Sequence, residues 1–172
     1  MEVNTILQSL GLWASLLIIP FFNFDLLWRM IPVYLNGFLA SIYFGPSNTA
    51  AVFGGLTALW AGADWIRGYI FGQNVLITNI ITDINWIIAI IFSVYGILSL
   101  TVGIAKIEVL YHFFGRRSIL TYFAIFFYPV QAGYVDINTE VITIILVMAI
   151  PTIIFLEIFA FIARKHILKL KD

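Results

Sequence analysis

Glu157 lies inside the apolar run Ile153-Ile154-Phe155-Leu156-Glu157-Ile158-Phe159. An acid in such surroundings has to face a polar partner or a cavity, and its default reading is a proton relay or a cation ligand. On a helix it sits about 9 Å in from Ala163 at ~1.5 Å rise per residue. Lys106, His112 and Arg164 are its candidate partners, and with Lys106 and His112 it forms the first candidate ion or proton site. The plainer alternative is a neutral or paired carboxyl that bonds a neighbouring helix. Pro151 frees the carbonyl of Val147 and predicts a kink six residues before the acid.

A second candidate is the pair Asp64 and Arg67, spaced i, i+3 on one helix face and flanked by Trp65 and Tyr69. Asp25 and Arg29 repeat the arrangement at i, i+4. Such pairs are commonly structural, but together they define an outer polar patch able to take a substrate or ion. His112 and His166 could ligate haem only from facing helices. Glu108, His112 and Arg116 at i, i+4 spacing read more simply as one polar face of a helix leaving the membrane, ended by Gly115, with Ser118 capping the next. Asn4, Gln8, Gly11 and Ser15 share a face of the first apolar run and Thr121 and Tyr128 share one later, as interior hydrogen-bonding faces. Phe21, Phe22, Phe126, Phe127 and Tyr128 could contact a quinone or lipid tail, although aromatics are ordinary near interfaces. There is no P-loop, dinucleotide glycine pattern, nucleophile elbow, His-Glu-x-x-His or aspartate pair of a lipid-phosphate enzyme. We expect no catalytic residues, no metal and no cofactor.

The elements that position these groups follow from composition. Of 172 residues, 62% are apolar and only 10% charged, too few charges to clothe a water-exposed surface. The formal charge is zero with no basic run, which argues against nucleic acid. With no cysteine, disulfides and thiolate chemistry are excluded. The apolar runs do not alternate as a barrel's would, so an all-α, polytopic helix bundle is expected, one integral membrane domain over residues 1–172. The breaks give six spans: Asn4 to Phe24, Leu27 to Gly45, Thr49 to Phe71, Ile84 to Ala105, Ser118 to Val135 and Glu140 to Ala163. The second and third are weakest, and loss of one gives five. Gln73 to Thr82 is expected along the outer surface, with Asp83 capping the fourth span.

Lys106, Arg116 and Arg117, and then Arg164, Lys165, Lys169 and Lys171, place two connections in the cytoplasm by the positive-inside rule. Both termini of this cell-membrane protein are then expected on the cytoplasmic side, and Trp28, Trp65 and Trp86 fall toward the outer interface. The N-terminus lacks the basic region of a signal peptide and reads as a retained helix. A weak aromatic echo between Phe38–Phe44 and Tyr122–Tyr128 allows an inverted repeat.

Ala50, Gly54, Ala58 and Gly62 recur every four residues on the third span, and Ala89, Ser93, Gly96 and Gly103 form a matching stripe on the fourth. Such stripes let helix backbones approach closely, so these two helices are expected to pack together. The alternative occupant is a lipid-like ligand or a partner's helix.

The segment Leu59-Trp60-Ala61-Gly62-Ala63-Asp64-Trp65-Ile66-Arg67-Gly68 is similar to the Gly-containing helix of the DoxX and DoxD membrane proteins, whose members include a subunit of thiosulfate:quinone oxidoreductase. It starts later in the chain and lacks the usual Lys after the Gly, so the resemblance transfers no function. The leading expectation is a non-catalytic accessory or scaffold subunit, in contact with membrane lipids and with copies of itself or other membrane subunits. The alternatives are a small proton- or cation-coupled transporter or channel using Glu157, and, more weakly, a quinone-linked subunit.

Overall fold

The computed structural model describes residues 3–44, 47–72, 83–115 and 117–167, and the regular structure among them is helical. In chain order the elements are α1 (Val3–Phe22), α2 (Phe24–Phe44), α3 (Asn48–Gly72), α4 (Ile84–Ala105), α5 (Glu108–Phe114), α6 (Arg117–Gln131) and α7 (Thr139–Ile162), which ends in a wider π-type turn over Ala163–Ile167. Gln73 to Thr82, Arg116, Lys169 and Lys171, and the side chains of Asn4, Ser118 and most of the Phe38–Phe44 echo, lie outside the described residues.

Among the described residues two helical stretches are long and apolar enough to cross a membrane, Ile84–Ala105 and Thr139–His166. A third is added if the bent pair Leu7–Phe22 and Phe24–Gly37 is one broken span. Six spans is a finer reading than this. Gly, Ala and the Asp64 and Arg67 charges dilute the apolar character of α3, which is nonetheless 25 residues long. The expected fifth span, Ser118 to Val135, is shortened to α6, whose 15 residues end at Gln131. The cause is local. Gly133 adopts φ +76, Tyr134 N–H donates to the Pro129 carbonyl at 2.9 Å and Gly133 N–H to that of Val130 at 3.0 Å. This paired closure satisfies the last carbonyls and turns the chain away.

The junction between α1 and α2 is tighter than expected, a single residue at which the axes bend by 105°. Asn23 Nδ2 donates back to the Ile19 carbonyl at 3.1 Å, while its own carbonyl accepts the first bond of α2 from Leu27 N–H at 2.8 Å. One side chain thus closes one helix and its backbone opens the next. Asp25 in the first turn of α2 complements the helix dipole. Ser47 Oγ accepts from Ala50 N–H at 3.1 Å, and Asn138 and Asp83 cap α7 and α4. α4 ends on Lys106 in the left-handed conformation, with its N–H bonded to the Val102 carbonyl. α7 continues through Pro151 as one helix. There the Thr152 hydroxyl donates to the Met148 carbonyl at 2.7 Å.

α3 and α4 form a close antiparallel pair. A Cβ placed on Gly96 would meet the Leu59 nitrogen at 2.8 Å and the Gly55 carbonyl oxygen at 3.0 Å. One on Gly55 would meet the Leu100 nitrogen at 2.7 Å and the Gly96 oxygen at 2.8 Å, and one on Gly103 the Asn48 oxygen at 2.8 Å. Gly62 rests on Ser93 and Ala89. Ala50, Gly54 and Ala58 on the same helix are buried. Ser99 Oγ donates across the pair to the Ala51 carbonyl at 2.7 Å, a bond possible only because no side chains hold the backbones apart.

α6 is the hub, packed against α1, α2, α3 and α7. Nearly every residue from Leu120 to Gln131 is buried. Tyr122 donates to the Ile145 carbonyl of α7 at 2.7 Å, and Phe126 stacks on Trp13 of α1 with centroids 5.3 Å apart. Outside this core the apolar character is reversed. Ile87, Ile91, Ile97 and Leu98 of α4 and Val147, Ile150, Ile154 and Phe155 of α7 are exposed, forming the kind of surface that lipid, rather than water, solvates. Gln8 and Gly11 also face outward. Ser15 bonds the Leu12 carbonyl of its own helix. The expected interior polar face of α1 is therefore not interior.

Candidate functional site

The polar groups gather at one end of the bundle, around a cavity of about 470 Å³. Its wall takes Arg29 from α2, Asp64, Trp65, Gly68 and Tyr69 from the end of α3, and Asp83 and Asn85 from the start of α4. Tyr128 and Gln131 close α6, and the connection through Gly133, Asp136 and Ile137 completes the rim. Each residue arrives there because a helix ends or begins there. The turn at Gly133 brings Asp136 over the opening, and the cap at Asp83 fixes the carboxylate at the α4 N-terminus, its Oδ1 accepting from Asn85 N–H at 2.9 Å.

The floor is an aromatic cluster. Trp65 meets Tyr128 edge-on at 5.3 Å and Phe92 at 4.8 Å between centroids, and Tyr69 lies beside Trp86 at 5.4 Å. Trp65 and Trp86 are only 2% and 7% exposed, so both indoles are packed inside the bundle at this end. Trp28 and Trp60 are the exposed ones. α3 turns Trp65 inward against Tyr128.

Both expected ion pairs form. Arg29 reaches Asp25 at 2.6 Å and Arg67 reaches Asp64 at 2.8 Å. Asp64 is 9% exposed at its side chain, and its second oxygen faces the Tyr128 hydroxyl at 3.3 Å. That hydroxyl also lies 3.4 Å from the Arg29 carbonyl, which already accepts from Trp60 Nε1 at 3.1 Å. A phenol has one proton to donate, so the carboxylate is its stronger claimant. The pair Asp64 and Arg67 is thus tied through Tyr128 to the hub helix, which sequence spacing alone did not reveal.

Gln131 and Trp65 supply the remaining chemistry. Gln131 Nε2 donates to the Asn85 carbonyl at 3.3 Å. Because that carbonyl can only accept, it sets the amide with Oε1 turned the other way. Gln131 Oε1 and Trp65 Nε1 are both buried and without a hydrogen-bond partner, on residues 9% and 2% exposed that wall the cavity. Both atoms are enclosed by protein, as is the likewise unpaired Nε1 of Trp86, which packs beside Tyr69.

Glu157, Lys106 and His112 are exposed on α7, at the end of α4 and on α5, and none of them lines this cavity. Glu157 and His112 do have interaction partners. Phe126 and Phe127, considered for a quinone or lipid tail, belong to the packed core. Among the described residues no group of three His, Cys, Asp or Glu side chains is placed to hold a metal ion.

The class defined by these features is an all-helical protein with an apolar exterior and a polar cavity at one helix end. No family model, curated protein or solved structure matches the chain.

Proposed function

We propose that this chain is a six-span protein of the cell membrane, with both termini in the cytoplasm, whose outward cavity binds a small hydrophilic solute as the recognition site of a small transporter or membrane complex. The observation that carries the reading is the gathering of Arg29, Asp64, Asp83, Asn85, Tyr128 and Gln131, from four helices, around one cavity of a size suited to a small molecule. Alternating crossings of α2, α3, α4 and α6 are supported by what meets at the cavity: the starts of α2 and α4 and the last turns of α3 and α6 share one end. The positive residues of the other connections orient that end outward. A pure scaffold is less well supported, because the glycine stripe that would seat a partner's helix is filled by α3 and α4 themselves. Glu157 has no part in this binding site.

The cysteine-free sequence provides a clean background for labelling. Val135→Cys at the cavity wall should react with a membrane-impermeant maleimide added outside intact cells, while Ile154→Cys on the exposed apolar face of α7 should not. A Val135→Cys protein that stays unlabelled, or labels only after the cytoplasmic side is opened, overturns the reading.

A further inference from the structure

We infer that the π-type turn closing α7 holds the phosphate of an anionic membrane lipid between Arg164 and Lys165, an inference that does not depend on the cavity being a binding site. The two helical stretches long and apolar enough to cross a membrane, Ile84–Ala105 and Thr139–His166, both start at the cavity end and finish at the opposite one. There the first is followed by Lys106 and the second finishes in Arg164, Lys165 and His166, with Lys169 and Lys171 next in the sequence. The acids on the same stretch of chain are Glu108 at the start of α5 and Glu157 in α7. At the cavity end each arginine has its own carboxylate, Asp25 for Arg29 and Asp64 for Arg67. Arg164 and Lys165 are in no ion pair among the described residues. Basic charge left over at the end of an apolar span lies where lipid phosphates lie.

The turn fixes the depth of these charges. Ala163 is buried and the turn packs against α2, so Arg164 is half-buried while Lys165 and His166 stay exposed. A turn built on i→i+5 bonds carries more residues than an α-turn, so consecutive side chains fan over a narrower arc. Lys165 does not stretch toward water, as a lysine at a span end ordinarily does. Its Nζ lies 5.8 Å from the ring centroid of Phe161, one turn deeper, where Ile158, Phe161 and Ile162 are exposed. The ammonium is thus held at the boundary between apolar surface and headgroups by a contact that is weak at an exposed site. A phosphodiester supplies the oxygen acceptors both cations lack, with the guanidinium able to take two of them. Its acyl chains then cover Ile154, Phe155 and Ile158 below. An acidic protein segment would answer the charges but leave that surface bare.

The full chain carrying Phe161→Trp, which keeps an aromatic face for Lys165, reports the headgroup beside the turn. It is reconstituted in phosphatidylcholine vesicles containing a minor fraction of brominated phosphatidylglycerol or, separately, of brominated phosphatidylcholine. Bromine quenches only nearby indoles, and the unsubstituted chain in the same vesicles subtracts the native tryptophans. Quenching should show a preference for phosphatidylglycerol of about tenfold or more. Lys165→Gln, an exposed change that does not threaten the fold, should reduce the preference about fivefold, the worth of one basic residue beside an anionic leaflet. Lys165→Arg should retain it, and Arg164→Gln combined with Lys165→Gln should abolish it. Equal quenching by the two lipids, or a preference that survives the double substitution, overturns the proposal. Relief of the quenching by millimolar inorganic phosphate would make this a site for free phosphate and overturn the lipid assignment.

Discussion

Gly96→Leu should cost about 3 kcal/mol or more of resistance to unfolding, measured as the shift in tryptophan fluorescence during titration of the micelle-bound protein with sodium dodecyl sulfate. A Cβ at this position meets the Leu59 nitrogen and the Gly55 oxygen, both backbone atoms, so no side chain can rotate to make room and α3 and α4 have to separate. Separation also breaks the bond from Ser99 to the Ala51 carbonyl, a further loss of about 1 kcal/mol. Gly55→Leu should behave alike. The double variant should cost well under the sum, because the second substitution enters a gap the first has opened. Gly11 is the internal control. A Cβ there meets nothing within 4 Å, so Gly11→Ala should stabilise by about 0.5–1 kcal/mol through helix propensity alone. If Gly96→Leu were as harmless as Gly11→Ala, the α3–α4 contact would be wrong.

Tyr128→Ala should cost about 3–5 kcal/mol, the range for emptying a buried aromatic site. Its ring is fully buried against Trp65, on the helix that α1, α2, α3 and α7 pack against. Tyr128→Phe keeps the ring and removes only the hydroxyl that faces Asp64 at 3.3 Å and the Arg29 carbonyl at 3.4 Å. Both contacts are long for a hydroxyl donor, so that variant should cost only about 1 kcal/mol. A comparable loss in the two variants would show that the hydroxyl network, rather than the ring, holds this end of the bundle together.

Where the chain announces its helix ends with charge or turn chemistry, the sequence was a reliable guide. Ile84 to Ala105 is bounded as the apolar run and Asp83 imply, and the ion pairs of Asp64 and Asp25 follow from helical spacing. Asn23 was not legible as a one-residue break because asparagine carries no fixed backbone geometry. Its role depends on its side chain finding the Ile19 carbonyl. Gly133 falls within the expected fifth span because hydropathy is blind to φ, yet its positive value turns the chain away at the end of α6. The cavity was least legible of all. Arg29, Asp83, Tyr128 and Gln131 are far apart in the chain, and only the meeting of α2, α3 and the start of α4 with the end of α6 makes them neighbours. Glu157 drew attention by contrast with its apolar surroundings, a signal that measures cost and not proximity to other chemistry.

The shortness of α6 carries an electrical consequence. Its 15 residues span about 22 Å, some 8 Å less than a bilayer's hydrocarbon layer of about 30 Å. In the proposed six-span arrangement, with that deficit taken at Gln131, water reaches roughly a quarter of the way into the insulating layer and the transmembrane voltage drops over what remains. A charge brought into the cavity from that side would cross the same fraction of the voltage, worth about 0.6 kcal/mol per 100 mV.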